Sequence, residues 1–305
     1  MKVLIVCSFN SGEISPFIKD QVDNLRIQGL DVDYYLIRGK GIFGYLSNLL
    51  SYHKKIFHFK PDVIHAHFGL AGLFASFQFG IPLVITFHGS DINLKNNFIL
   101  SKIAMLFADK SIFVSKSILT LSKNKNGIVI PCGVDISIFK PIEKLLARKK
   151  LNLVATDKLV LFSSSFSNPI KNYPLALDSV NSLQDVKLIE LKGYSREMVA
   201  LLMNACDVCV LTSFTEGSPQ FIKEALACNT PVVSVDVGDV SLNYIGISGF
   251  FLAKRTIDDI SSNLETAFNF NLFNCSFDSR NLIISDFNNA TITNKLINLY
   301  GCLIL

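Results

Sequence analysis

Two glutamates eight positions apart have the clearest potential for ligand chemistry in this sequence. Glu216 and Glu224 flank a short run where a buried strand is predicted to turn into a helix: Gly217, Ser218, Pro219 and Gln220. Ser218 is the predicted N-cap and Pro219 suits the first helical position. The free N–H groups of the helix would then face a diphosphate. The two carboxylates could hold hydroxyl groups at opposite ends of one elongated ligand.

Two histidines alternate along an earlier predicted strand and raise the question of a metal centre. His65 and His67 have no acidic cluster beside them in the sequence. Imidazoles on alternate strand positions without further ligands make a weak metal site. The sequence therefore predicts no bound metal.

The elements that must position these residues alternate between strand-like and helix-like segments along the chain. This alternation predicts an α/β fold with parallel sheets and a ligand cleft at the strand ends. Residues 1–140 are predicted to form the first domain, 141–288 the second, and 289–305 a helix that crosses back to the first. The charged, proline-containing stretch Pro131–Lys158 is the predicted interdomain linker. Phe43–Phe59 is predicted to be a single amphipathic helix whose apolar side consists of Phe43, Leu46, Leu49, Leu50, Ile56 and Phe57.

Composition limits the class and compartment of the protein. A chain of 305 residues that is half apolar and only 18% charged can bury two sizeable cores. Residues 1–140 contain 15 Lys/Arg and 9 Asp/Glu, which favours an anionic partner such as a phosphate or a membrane surface. No Lys/Arg run typical of nucleic-acid binding is present. Seven scattered cysteines, including Cys206 and Cys209 at the start of a strand, predict structural thiols and a cytoplasmic protein.

Membrane-spanning and targeting segments are not predicted. Met1–Cys7 contains an apolar run of only five residues, which is too short for a signal peptide and fits a first strand. The uncharged stretch Phe68–Phe87 is interrupted by Gly80 and Pro82, which favours a helix, a turn and a buried strand. Lys54 and Lys55 on the predicted Phe43–Phe59 helix could still place it on an anionic membrane surface.

The glutamate pair and several spaced motifs resemble glycosyltransferase family 4. Glu216, Glu224 and the following Ala-Leu-Ala-Cys-Asn-Thr-Pro-Val-Val are similar to the donor-binding signature of that family. Four more segments resemble it in order and spacing: Pro61–His67, Val84–Asp91, Val129–Asp135 and Phe139–Pro141. The resemblance covers nearly the whole chain. It implies the GT-B fold, in which two Rossmann-like doubly wound domains face a central cleft.

The resemblance also implies roles for individual residues. Glu216 would contact the donor sugar, Glu224 the ribose hydroxyls, and His88 the sugar near the reacting carbon. Lys171 would stabilise the diphosphate leaving group. The remaining implied donor-binding residues are Gly12, Gly193, Gly217, Ser218, Pro219 and Gln220. A family arginine that assists the lysine is replaced here by Ser165 or Phe166. No cofactor is implied, since the nucleotide-sugar is a co-substrate.

The implied function is that of a retaining, metal-independent hexosyltransferase. It would move a sugar from a UDP- or GDP-linked donor to a glycan or lipid-linked acceptor in bacterial surface polysaccharide synthesis. The expected location is the cytoplasm, or the inner face of the plasma membrane as a peripheral protein.

Three alternatives to this function remain open. The missing arginine favours a non-catalytic GT-B sugar-binding or assembly protein. A dinucleotide-dependent oxidoreductase is disfavoured because neither predicted first strand leads into G-x-G-x-x-G. An epimerase would need more acid–base residues.

Overall fold

The computed structural model describes residues 1–272 and 279–304, which form two compact units. The first unit is Met1–Gly133 together with Asn289–Leu305, and the second is Val134–Asn288. Each unit contains one parallel sheet covered by helices. The predicted doubly wound α/β fold is confirmed.

The first unit begins with seven helices and six strands among its described residues. Its strands are β1 (Lys2–Ser8), β2 (Asp31–Ile37), β3 (Val63–His67), β4 (Leu83–Phe87), β5 (Lys110–Phe113) and β6 (Ile128–Val129). Its helices are α1 (Pro16–Ile27), α2 (Gly41–Leu46), α3 (Leu49–Phe59), α4 (Gly69–Ala75), α5 (Ser90–Asn93), α6 (Lys95–Phe107) and α7 (Lys116–Ser122). The strand order is β2-β1-β3-β4-β5-β6.

Alternate side chains of these strands build two separate cores, because successive residues of a strand point to opposite faces. Val3 and Ile5 of β1 pack against α1 on one face. Leu4 and Val6 pack on the other face with residues of α3, α4, α5, α6 and α7, among them Phe74. The sheet of the first unit is therefore covered on both sides.

The predicted single helix over Phe43–Phe59 is wrong, since α2 and α3 are separate helices. Asn48 interrupts them: its side-chain amide donates to the carbonyl of Arg38 at 2.8 Å and to that of Gly44, so it binds the backbone outside a continuous helix. The predicted apolar side packs inward only in part: Leu49 and Ile56 contact the core. Phe43 and Phe57 are 87% and 72% exposed.

The second unit has its own sheet and helices. Its strands are β7 (Lys158–Phe162), β8 (Val186–Ile189), β9 (Val208–Leu211), β10 (Val232–Val235) and β11 (Phe250–Ala253). Its helices are α8 (Lys144–Lys150), α9 (Tyr173–Asn181), α10 (Arg196–Ala205), α11 (Gln220–Ala227), α12 (Val240–Tyr244), α13 (Ile257–Leu272) and α14 (Ser279–Leu282), with a 3₁₀ turn at Pro169–Lys171 and a π-helix at Ile283–Phe287. The strand order is β11-β10-β9-β7-β8.

The predicted linker Pro131–Lys158 contains helix α8, so its charged run is folded structure. Arg148 of that run is only 3% exposed and donates to the carbonyl of Ala205 at 2.8 Å. It also pairs with the Asp207 carboxylate at 2.8 Å. Local composition could not predict the burial of Arg148, because these partners lie 57 and 59 positions further along the chain.

The final helix, α15 (Asn289–Ile304), belongs to the first unit and packs beside α1. Ile292, Leu296 and Tyr300 enter the same core as Val3 and Ile5. Within the described residues, no helix combines the length and apolar character needed to cross a membrane.

The two cysteines of the C-x-x-C are buried and free. Burial raises the pKa of the Cys206 thiol to about 12, so the thiolate needed for redox chemistry is disfavoured. These residues are packed in the core of the second unit, as the sequence predicts.

Candidate functional site

The carboxyl edge of the second sheet gathers most of the candidate donor-binding residues. The chain leaves β7 to form β8 on one side and later returns to form β9 on the other. Such a reversal of strand order opens a crevice at the carboxyl ends of the strands, where ligands bind in open α/β sheets. Lys171 lies in the segment after β7 and Glu216 in the segment after β9.

Lys171 and Glu216 form an ion pair at this edge. The Lys171 ammonium lies 2.6 Å from Oε1 of Glu216, and the two side chains are 21% and 15% exposed. Thr212 supports the turn, because its hydroxyl donates to the Lys171 carbonyl at 2.9 Å. The backbone N–H of Phe214 also donates to the Ile170 carbonyl at 2.9 Å. The two segments are therefore tied together by backbone and by charge.

Helix α11 begins one residue later than expected. Pro219 occupies the N-cap position and no side chain caps the helix, so the predicted capping role of Ser218 is wrong. The Ser218 hydroxyl is instead buried, with no hydrogen-bond partner among the residues that the structure describes. Gly238 supports the loop from behind: a Cβ there would lie 2.6 Å from the Gly217 carbonyl oxygen, and its φ is +65°. Both facts require glycine at position 238.

Glu224 is buried within α11 and is held by an arginine that sequence reasoning missed. Its Oε1 accepts from Nη1 of Arg196 at 2.6 Å, and the glutamate is only 5% exposed. The Arg196 guanidinium lies over the ring of Phe139, 4.5 Å from its centroid. Residues 196 and 224 are 28 positions apart, and no sequence pattern predicts their contact. Only the fold shows that Arg196 orients the Glu224 carboxylate.

Residues at the position of the missing family arginine surround a carboxylate. Glu190 accepts from the Ser165 hydroxyl at 2.9 Å and from the Phe166 N–H at 2.8 Å. These hydrogen bonds lower the pKa of Glu190, with the Phe166 N–H as the main cause. Arg255 at the same sheet edge, which the sequence analysis did not select, donates to the Ser213 carbonyl at 2.8 Å.

The carboxyl edge of the first sheet holds the His-Gly loop. Asp91 organises this loop, because its carboxylate accepts from the N–H groups of His88 at 3.0 Å and Gly89 at 2.8 Å. It also accepts from the N–H of Gly69 at 3.3 Å, at the start of α4. Asp91 is 4% exposed, and burial raises the pKa of its carboxyl group. The hydrogen bonds from the backbone lower this pKa, but their effect is smaller than that of burial.

The imidazole of His88 is held by aromatic and polar neighbours. Its Nε2 lies 3.0 Å from Nδ1 of His67, and its Nδ1 lies 3.7 Å from Sγ of Cys132. The rings of Phe17 and Phe68 lie 4.7 Å and 4.6 Å from the imidazole, centroid to centroid. These contacts fix the orientation of the ring.

The imidazole of His65 joins β3 to α15 and to β4. His65 is fully buried, with Nδ1 2.5 Å from the Tyr300 hydroxyl and Nε2 2.7 Å from the Thr86 hydroxyl. His65 and His67 thus serve hydrogen bonding inside the unit. Among the described residues, no group of three or more His, Cys, Asp or Glu side chains is arranged to hold a metal ion.

The buried histidines make stability depend on pH. Burial lowers the pKa of His67 to about 3 and that of His65 well below 6.5. The folded protein therefore binds fewer protons than the unfolded chain between about pH 6.5 and 3, and the free energy of unfolding should fall as the pH falls through that range. Each histidine contributes at most about 1.4 kcal/mol per pH unit. Urea titrations of wild type and His67→Gln at pH 5 and pH 6 measure this, with a shallower pH dependence expected for the variant.

The matched control for that prediction is His53→Gln, since His53 is an exposed histidine of α3. His53→Gln should leave the pH dependence of stability unchanged. Equal pH dependence in wild type and His67→Gln would contradict the prediction.

The two remaining glycine candidates lie in turns at the same sheet edges. Gly12, after β1, has φ +84° and donates to the Phe9 carbonyl at 3.0 Å. Gly193, after β8, has φ +72°, and a Cβ added there would meet no atom within 4 Å. The positive φ accounts for glycine at both positions. Their donor-binding roles stay predictions.

Two protein-family models match this chain, one mainly in the first unit and the other in the second. The fold, two parallel-sheet α/β domains, is that of GT-B glycosyltransferases. The model of Glycosyltransferase Family 4 matches residues 2–138, and that of Glycosyl transferases group 1 matches residues 172–269. The two models together match most of the chain, and the resemblance to glycosyltransferase family 4 seen in the sequence is confirmed.

Relatives with curated names include two bacterial glycosyltransferases. A Bacillus subtilis protein named as a teichuronic acid biosynthesis glycosyltransferase is 31% identical over 59% of this chain. The chain spans only 54% of that relative's length. The Escherichia coli UDP-Gal:alpha-D-GlcNAc-diphosphoundecaprenol alpha-1,3-galactosyltransferase is 25% identical over 97% of this chain and 88% of its own length.

Solved structures of low sequence identity share the fold. Anabaena HepE in complex with UDP-glucose has a TM-score of 0.81 at 18% identity, covering 99% of this chain and all of its own. Sucrose-phosphate synthase from Thermosynechococcus elongatus has a TM-score of 0.80 at 16% identity, covering 99% of this chain and 98% of its own. At these identities the likeness concerns fold alone.

Proposed function

We propose that this protein is a retaining glycosyltransferase that takes a sugar from a UDP- or GDP-linked donor. The observation that carries the proposal is the Lys171–Glu216 ion pair at the strand reversal of the second sheet, directly before α11. A cation, a carboxylate and a helix N-terminus at one crevice suit a ligand that contains both phosphate and hydroxyl groups. The matches to both family models and the UDP-glucose bound by the HepE neighbour support this proposal.

The proposed donor contacts follow from the chemistry of each group. Lys171 binds the diphosphate, and Glu216 accepts hydrogen bonds from the sugar hydroxyls. Glu224, oriented by Arg196, accepts from the ribose hydroxyls. Gly217 and Gln220 offer backbone N–H groups at the start of α11, while Pro219 has none. His88 of the first unit is proposed as a further contact of the donor sugar, as the family resemblance implies.

The proposed reaction is a front-face displacement with retention of configuration. An acceptor hydroxyl oxygen bonds to the anomeric carbon while the bond from that carbon to the phosphate oxygen breaks. The departing phosphate takes the proton of the acceptor hydroxyl. Negative charge develops on the leaving diphosphate, and preorganised cations and helix dipoles stabilise such charge most where water is excluded. Lys171 and the N-terminus of α11 supply this stabilisation, so no metal ion is needed in the proposal.

The acceptor is proposed to be a glycan or a lipid-linked sugar of a bacterial surface polysaccharide. Support comes from the names of two relatives, one for teichuronic acid biosynthesis and one for a diphosphoundecaprenol-linked acceptor. The alternative is a non-catalytic sugar-binding protein. It is favoured by the carboxylate of Glu190 in contact with Ser165 and Phe166, where the family places an arginine.

Release of nucleoside diphosphate from a panel of UDP- and GDP-sugars tests the proposal. Release by the wild-type chain should be specific for one donor and unchanged by EDTA. Glu216→Gln should lower it at least about tenfold, because the charged acceptor for the sugar hydroxyls is lost. The anomeric configuration of the product, read by NMR, tests retention.

The matched control is Glu265→Gln, which changes an exposed glutamate of α13. This variant should release nucleoside diphosphate at the wild-type rate. Binding of a donor without release, even with lipid-linked and glycan acceptors present, would favour the non-catalytic alternative.

A further inference from the structure

The helices on one side of the first unit expose many apolar side chains. Seven large ones are each more than half exposed: Phe43, Leu50, Phe57, Phe79, Ile99, Leu106 and Phe107. They lie on α2, α3 and α6 and just after α4, and we call the outer surface of these four helices the apolar face. Contiguous apolar surfaces of this kind are uncommon on monomeric soluble proteins and mark interaction sites.

The exposed residues of α3 and α6 are arranged in amphipathic stripes. Leu50, Lys54 and Phe57 stand four and then three positions apart, so they share one side of α3. Ile99, Ile103 and Leu106 repeat the spacing on α6, with Lys102 beside them. Each helix thus presents apolar side chains and a lysine together to solvent.

A cavity opens within the apolar face. It has a volume of about 410 Å³ and lies among α2, α4 and α6. Tyr45 and Phe74 line its interior, and their ring centroids are 6.1 Å apart. Leu70 and Phe77 also line it and are 42% and 49% exposed, so its mouth lies among the apolar residues of the face. Its volume is in the range of small-molecule sites.

The charge of the apolar face indicates which kind of partner binds it. The sequences of α2, α3, α4 and α6 contain no Asp or Glu, but they carry Lys54, Lys55, Lys95 and Lys102. Lys55 pairs with Asp33 of β2. The other three lysines are exposed. A second copy docked through the same face would bring like charges together, whereas an anionic lipid surface offers complementary charge and an apolar interior.

We propose that the apolar face lies on a bilayer containing anionic phospholipids and that the cavity receives one hydrocarbon chain from it. Phe43, Leu50 and Phe57 enter the boundary between headgroups and acyl chains, while Lys54 and Lys102 meet lipid phosphates. This interaction is separate from donor binding, so it can be measured without any sugar nucleotide.

A tryptophan reporter tests both parts of the proposal, because the chain contains no tryptophan. Phe77→Trp places the fluorophore at the cavity mouth. Ile27→Trp is the matched control, since Ile27 is 77% exposed on α1, which packs on the other face of the sheet. With vesicles of phosphatidylcholine and phosphatidylglycerol, brominated acyl chains should quench Phe77→Trp and leave Ile27→Trp unquenched. Binding without quenching of Phe77→Trp would overturn the role of the cavity.

Vesicle co-sedimentation then measures the contribution of the face itself. Leu50→Ser combined with Phe57→Ser should weaken partitioning at least about tenfold, because two apolar side chains no longer leave water. Lys54→Glu combined with Lys102→Glu should weaken it about tenfold on vesicles with phosphatidylglycerol and have little effect on phosphatidylcholine alone. Ile27→Ser should bind as the wild type does.

Two outcomes would overturn the proposal. One is absence of wild-type co-sedimentation with phosphatidylglycerol vesicles. The other is self-association of the wild type without vesicles that Leu50→Ser and Phe57→Ser abolish, which would assign the face to a second copy of this chain. Because no donor is present, neither outcome bears on the proposed sugar transfer.

Discussion

A Lys171→Met variant is expected to release nucleoside diphosphate from the donor at least about a hundredfold more slowly than the wild-type chain. The Lys171 ammonium is held 2.6 Å from Glu216 beside the start of α11. Its replacement removes the cation proposed to stabilise the departing phosphate and leaves the Glu216 carboxylate without that partner. Charge develops chiefly in the transition state, so kcat should fall more than KM rises. Steady-state kinetics with the preferred donor measures both.

Lys187→Met is the matched control for this prediction. Lys187 also forms an ion pair, 2.6 Å from Asp157, but its side chain is 62% exposed and the pair lies near the amino end of β7. Its loss should leave kcat unchanged. Lys171→Arg should recover part of the activity, because it restores the positive charge. A Lys171→Met variant with kcat within about twofold of wild type would exclude the proposed leaving-group role.

An Arg148→Met variant is expected to lower the free energy of unfolding by about 3 kcal/mol. The Arg148 guanidinium donates to the carbonyls of Ala205 and Ala155 and pairs with Asp207. Methionine fills similar space but offers no donor, so two carbonyl groups lose their partner. The Asp207 carboxylate loses the guanidinium but keeps its contacts with the Leu159 N–H and the Lys144 ammonium, each at 2.8 Å. Urea titration followed by circular dichroism measures the change.

The control for Arg148→Met is Lys149→Met on the same helix. Lys149 is the exposed neighbour of Arg148, so its replacement should change stability by less than about 0.5 kcal/mol. Equal midpoints for the two variants would show that the buried guanidinium contributes little to the second unit.

The sequence determined the fold class and most strand positions. Leu83–Val84–Ile85–Thr86–Phe87 is an uncharged run with four apolar residues, which is typical of a parallel strand buried on both faces. The location of Glu216 after a buried strand followed in the same way, because a strand, a turn and a helix start are all local features. The family resemblance was readable because its motifs are contiguous segments.

Only the tertiary structure decided which groups meet and which surfaces stay uncovered. Lys171 and Glu216 are 45 positions apart, and His65 and Tyr300 are 235 positions apart. No local pattern encodes such pairs. Periodicity placed Phe43 and Phe57 on one helix side, but it cannot tell whether that side packs on a core or faces solvent. Burial depends on the elements that reach each surface, and these come from distant parts of the chain.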